Sequence, residues 1–199
     1  MSETVVTTLV TMGRWEPDAR GRLVRAALEL YAEHGYEQTT VVEIAGSAGV
    51  TERTFFRYFA DKREVLFEGA GDLQAFVVGA LASASAQVPP IEAVAAAMEG
   101  AASLLQERRD FARQRAAVIA ANPSLHEREL LKLAAIGAAA ADALRHRGVP
   151  DPGASLAAET GVTIFTIAFE RWIGDASAAD FARCIREALD QLKLLFAEA

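Results

Sequence analysis

Between Thr39 and Lys62 the chain reads TTVVEIAGSAGVTERTFFRYFADK, two short apolar-periodic stretches split by one glycine, and this arrangement constrains everything around it. Val41, Ile44, Ala45 and Ala48 recur at three-and-four spacing, which puts them on one buried helix face. Gly49 stands where a helix end needs left-handed backbone, which glycine adopts without a Cβ penalty. Ala45 is small enough to let a second helix approach, and Val50 fills the corner. Thr51 then caps that second helix, and Glu52 complements the positive end of its dipole. At about 100° per residue, Phe55, Phe56 and Phe59 fall on one arc, and Arg53, Thr54, Arg57 and Tyr58 on the opposite, acid-free one. Arginine can pair with guanine, threonine can meet a thymine methyl or a phosphate, and tyrosine can donate to phosphate. An amphipathic helix alone is ordinarily a solvated surface helix. The pairing of two helices, the Ala45-to-Gly49 spacing and the acid-free arc favour DNA reading.

The remaining chain reads as helices separated by breakers. Pro17 and Asp18 offer a start for a helix to His34, with Leu23, Val24, Ala27, Leu28, Leu30 and Tyr31 facing the motif and Gly35 ending it. Residues 1–16 show no sustained periodicity and read as a flexible arm, from which Arg14 could reach DNA. After Asp61, the run KREVLFEGAGDLQAFVVGALASA reads as one long helix linking head to body. Further helices are expected from Pro90 to about Glu107, Asp110 to Ala121, Ser124 to Arg147, Pro152 to Ile173, and Ser177 to Ala197, the last opened by a Ser177–Asp180 capping box. No strand alternation competes, and no internal repeat is evident.

From about Arg20 to Leu66, on RLVRAALELYAEHGYEQTT, the turn AGVTERTFFRYF and the Asp61-Lys62 start of the next helix, the chain resembles the DNA-binding domain of the tetracycline-repressor (TetR) family of transcription regulators. That resemblance implies phosphate contacts from Thr40 and Lys62, base-facing roles for Arg53 and Thr54, and a backbone contact from Tyr58. Thr51 and Arg57 complete the DNA-facing set. The chain departs from the family pattern at Phe56, where tyrosine is usual, so a phosphate hydrogen bond there is missing and Arg57 or Tyr58 would compensate.

Charge supports this placement. The net charge of -7 argues against nonspecific coating of nucleic acid, but residues 14–63 carry eight basic and eight acidic side chains, and residues 64–199 twelve against eighteen. A neutral head on an acidic body directs DNA to the head. The single cysteine, Cys184, excludes an internal disulfide framework and suits a reducing cytoplasm. Val5 to Met12 lacks the basic lead of a secretion signal, and the apolar runs Leu133 to Ala141 and Gly161 to Phe169 end short of a membrane span. A soluble cytoplasmic protein is expected.

Catalytic spacings break down on inspection. His126-Glu127 begins a zinc-protease motif, but Leu130 stands where the second histidine belongs. Gly69 and Gly71 begin a dinucleotide loop that Gln74 interrupts. Gly46-Ser47-Ala48-Gly49 is one residue short of a nucleophile elbow. Tyr31, Pro123 and Ala143 precede the three histidines where a di-iron bundle needs glutamate. Cys184 has no evident activating base, and a small buried hydrophobe is its expected role. The expectation is therefore no enzyme, no metal and no cofactor.

The last two helices carry wide apolar faces, and the excess suits a two-fold helical interface through Phe165, Phe169, Trp172, Ile185, Leu189, Leu192 and Phe196, with Gly161, Ala158 and Ala168 permitting close approach. Family members pair through their last helices, as the resemblance implies; the competing reading is an ordinary core. Candidate lining residues for an apolar pocket in the body are Phe67, Phe76, Met98, Phe111, Gln114, Asn122, Phe165, Phe169 and Trp172. The expected architecture is all-α: the arm, a three-helix helix-turn-helix DNA-binding domain over 17–63, and a helical ligand-binding and dimerisation domain over 64–199. Its expected partners are double-stranded operator DNA, a second copy of itself and an unknown small apolar effector that releases a repressor, with a ligand-independent regulator as the alternative.

Overall fold

Every regular element among the residues described by the computed structural model, 18–175, 177 and 180–197 with the side chain of residue 196 excepted, is helical. The arm with Arg14 and the side chain of Phe196 lie outside the described residues. Helices α1 (Ala19–His34), α2 (Val41–Ser47) and α3 (Glu52–Tyr58) form the head. Each starts on a side chain that satisfies an otherwise orphaned amide: Asp18 Oδ1 accepts from Gly21 N at 2.8 Å, Thr40 and Glu43 form a reciprocal capping box, and Thr51 Oγ1 accepts from Thr54 N at 3.2 Å. Gly49 has φ 67°, the left-handed turn expected between α2 and α3. Leu23, Ala27, Ile44 and Phe55 are fully enclosed at the centre of the head.

The long continuous helix expected from Asp61 does not form. Asp61 Oδ1 accepts from Arg63 N at 2.8 Å and Glu64 N at 3.2 Å, which starts a short 3-10 turn over Glu64–Phe67. Gly69 at φ 83° then reverses the backbone before α4 (Ala70–Ser83). Residues 64–83 are apolar enough by composition to cross a membrane. The break leaves α4 with 14 residues, about 21 Å against the ~30 Å of a bilayer core.

The body consists of α4, α5 (Pro90–Ser103), α6 (Arg109–Ala120, after a 3-10 turn at Gln106–Arg108), α7 (Pro123–His146), α8 (Gly153–Gly174) and α9 (Phe181–Ala197). Helix α8 lies at its centre, packed on α5, α7 and α9. Gly161 makes this possible, because a Cβ there would overlap Val94 Cγ1 of α5. Close approach at Gly161 therefore serves the protomer's own core. Helix α9 begins later than expected because the Ser177–Asp180 capping box does not form. Ser177 instead turns back on Asp175 Oδ1, and Gln106 Oε1 accepts from Phe181 N at 3.0 Å.

Most residues expected at a dimer seam have a place in the protomer's own core. Phe165, Trp172, Ile185 and Leu189 are buried within a single protomer, and Phe169 and Leu192 pack partly buried against the same core. Trp172 stacks on Phe181 with centroids 4.8 Å apart and planes 9° apart, while Phe165 and Phe169 close around Phe181. The apolar excess of α8 and α9 is thus largely consumed internally, since α8 packs against α5, α6, α7 and α9. Among the described residues, the large apolar side chains left outside on these helices are Leu156 (63% exposed), Ile167 (56%), Leu194 and Leu195 (73%).

Head and body share a core across the division drawn after Arg63. Val65, Leu66 and Phe67 cluster with the head residues and with Val118, Ile119 and Leu125 of α6 and α7.

Candidate nucleic-acid interface

Helix α3 presents its polar arc because its other side is anchored. Phe55 is fully buried, with Phe59 5.6 Å away between centroids. Phe56, expected on that buried arc, is instead 54% exposed, its ring edge-on to Phe55 at 5.4 Å. It lies at the boundary of the apolar arc, where one step of the helix carries it clear of the core.

The candidate DNA contacts differ in how free they are. Arg53 is exposed, and among the described residues its guanidinium has no internal partner. Arg57 Nη2 donates to Tyr58 Oη at 3.0 Å, with its guanidinium 4.8 Å from the Tyr58 ring centroid, so the two present a joined polar surface. Thr51 and Thr54 share a hydroxyl hydrogen bond at 3.0 Å. Thr40 donates its hydroxyl proton to Glu43 Oε2 at 2.8 Å, a bond that a phosphate would have to replace. Those bonds from Thr40, the amide first, hold the Glu43 carboxyl below its ordinary value.

The Lys62 ammonium, expected at phosphate, is engaged within the head in the free chain. It donates to Tyr36 O (2.8 Å), Glu37 O (3.2 Å) and Thr39 O (3.0 Å), and it stands 4.4 Å from the Tyr36 ring centroid. An ammonium has three donors, and here all three close the α1–α2 loop. Behind it, Tyr31 Oη donates to Lys62 O at 2.6 Å, and burial pushes the Tyr31 hydroxyl far above its ordinary pKa and that of Tyr36 up to about 12. Both tyrosines at the base of the motif are therefore neutral, and the Lys62 ammonium beside them is internally bonded.

Sequence reading missed the link from this surface to the body. Glu64 of the 3-10 turn accepts from Arg128 (2.7 Å) and Lys132 (3.1 Å) on α7, and Arg115 of α6 donates to Leu66 O at 2.6 Å and Glu129 at 2.8 Å. The only available signal was the i,i+4 spacing of Arg128 and Lys132, which places both on one face of α7. Arg20 bridges α1 to Glu68 at 2.6 Å, beside a cleft of about 230 Å³ between Tyr58, Phe67 and Gly69.

The candidate pocket residues do not meet around one cavity. Phe67 and Phe111 belong to the head-side core, whereas Met98, Phe165, Phe169 and Trp172 pack in the body core. Gln114 and Phe76 are exposed, and Asn122 Nδ2 donates to Val118 O at 2.6 Å. Aromatic residues at helical spacing have packed against each other, as they ordinarily do. Burial likewise places Cys184 in the core and raises its thiol pKa.

Two family models match: "Bacterial regulatory proteins, tetR family" over residues 23–68, and "MftR C-terminal domain" over residues 88–197. The chain is 41% identical over 78 residues to the HTH-type transcriptional regulator TcmR of Streptomyces glaucescens; this covers 39% of the chain and 34% of TcmR. A longer match, 25% identical over 84% of the chain and 86% of the relative, is to the protein assigned as the mycofactocin biosynthesis transcriptional regulator MftR of Mycobacterium tuberculosis. Among solved structures, Thermus thermophilus FadR, a transcriptional repressor in complex with lauroyl-CoA, is 26% identical with a TM-score of 0.54, covering 87% of this chain and 92% of that one.

Proposed function

The chain belongs to the TetR family of bacterial transcription regulators, and from that premise we propose that it is a cytoplasmic homodimeric repressor that reads its operator through α3 and releases it when a small molecule occupies the body. The observation that carries the reading is Arg53: an exposed guanidinium with no internal partner among the described residues, on a helix anchored from behind by Phe55. Such a side chain can pair with guanine in the major groove. Thr54, Arg57 and Tyr58 surround it with donors for bases and phosphates, and Thr40 and Thr51 stand at the two helix starts.

Two copies must hold their α3 helices about 34–36 Å apart, or a multiple, to enter successive major grooves. Among the described residues, Leu156 and Ile167 of α8 with Leu194 and Leu195 of α9 are large apolar side chains available for pairing. An effector that prefers a dimer of different spacing lowers operator affinity by the ratio of its preferences, and DNA weakens the effector equally. The ligand of Thermus FadR makes fatty-acyl thioesters the first effector class to test.

Operator selection from random duplexes, followed by binding at controlled salt, tests the reading. Arg53→Ala is expected to cost about 1–3 kcal/mol and to relax preference at one base position. Unchanged affinity and preference would reject DNA reading through α3. Lauroyl-CoA that binds without altering operator affinity would instead favour the ligand-independent regulator for this class.

A further inference from the structure

Arg147 caps the C-terminal end of α7 with an incompletely satisfied guanidinium. Its Nη2 donates to Ser85 O, just past α4, at 2.7 Å, while Nε and Nη1 are buried with no hydrogen-bond partner. Among the described residues no carboxylate pairs with it. Buried charged donors without acceptors are costly and call for a physical explanation. Beside Arg147 runs a groove of about 300 Å³ between the ends of α4 and α7, walled by Val78, Ala82 and Ala143 and edged by His146. His146 Nδ1 is engaged with Asp142 O at 2.7 Å, which leaves its other ring nitrogen for a ligand. Apolar walls with a cation at one end match an amphipathic acid.

Resting on the reading of the body as an effector-binding module, we propose that this groove is a subsite for an anionic ligand with an alkyl portion, Arg147 supplying the counter-charge and Val78, Ala82 and Ala143 the apolar contact. By turning toward the groove the guanidinium gives up one carbonyl contact and gains an anionic acceptor, a stronger hydrogen bond. The placement also suggests how occupancy reaches the head. Helices α4 and α7 flank the groove at one end; at the other, α4 meets the head through Gly69 and α7 through Glu64 bonded to Arg128 and Lys132. A ligand wedged between the far ends acts on both attachments of the 3-10 turn.

Calorimetric titration of the full-length protein with octanoate and with 1-octanol, which share a chain length and differ in charge, tests the assignment. Wild type should bind octanoate about tenfold more tightly, the low end for hydrogen bonds to a charged group. Arg147→Gln should abolish that preference, Arg147→Lys should retain part of it, and Ala82→Trp, which fills the groove from an exposed position, should weaken both probes. Equal binding of the two probes to wild type, or an intact preference in Arg147→Gln, overturns the subsite; if Arg147→Gln does not fold, Arg147→Lys and Ala82→Trp decide, and unweakened binding in Ala82→Trp overturns it. The broader effector reading fails separately: Arg147-dependent octanoate binding that leaves operator affinity unchanged keeps the subsite and rejects release through it.

Discussion

Replacing Lys62 by methionine separates two physical roles that predict different experiments. The ammonium closes the α1–α2 loop through Tyr36 O, Glu37 O and Thr39 O and lies 4.4 Å from the Tyr36 ring centroid. Methionine keeps most of the apolar stem and removes the donors. The carbonyls of Tyr36 and Thr39 lie in partly buried bonds, and each would lose a charged donor at about 1–1.5 kcal/mol. Water can take over at the exposed Glu37 carbonyl, and the lost cation–π contact adds about 0.5–1 kcal/mol. The total is about 2.5–4 kcal/mol, or ~5–16 °C in melting temperature for a chain of this size. Thermal melts of the free protein measure this, and operator titrations across a salt series measure the phosphate role. A structural lysine leaves the slope of log K against log salt unchanged once the folded fraction is accounted for. A phosphate-binding lysine lowers that slope by about 0.9 while stability changes little. A shift under 2 °C together with the lower slope would refute the structural assignment.

Gly161→Ala forces a methyl into Val94 and should cost about 1–3 kcal/mol; Val94→Ala in the same chain should recover part of it, and a double-mutant cycle from urea melts that shows strict additivity would reject the contact. Ile167→Glu, at an exposed site on α8, should give monomers in sedimentation and loss of operator binding with the protomer still folded, because two-fold symmetry buries the charge twice; an unaffected dimer would place the interface elsewhere. Glu43 and Asp61 are both held below ordinary carboxylate values, Asp61 chiefly by the Arg63 guanidinium. Depressed carboxyls contribute stability above about pH 4 that is lost as pH falls through their folded values. Head stability should therefore fall below about pH 4, and Glu43→Gln, which retains a capping partner but cannot titrate, should flatten that fall in pH-dependent melts.

Sequence alone determined the features that depend on local chemistry. The α2–turn–α3 pair was legible because caps, periodicity and a left-handed glycine each act within a few residues: Thr40 and Thr51 bond amides three positions on, and Gly49 has the turn it must have. The helical count of the body was legible for the same reason, from Pro90, Pro123 and Gly148. Tertiary structure decided which apolar faces look inward. Periodicity shows that Trp172, Ile185 and Leu189 share buried faces, but a protomer core and a dimer seam have the same period, and only the packing of α8 among α5, α7 and α9 assigns them to the core. Lys62 illustrates the limit for polar groups. Its acceptors lie 23 to 26 residues back in the chain, so whether its charge faces phosphate or carbonyl depends on a loop closure that no local pattern encodes. The same holds for Glu64, whose partners on α7 are 64 and 68 residues away, and which ties the body to the head because two helices distant in sequence pack side by side.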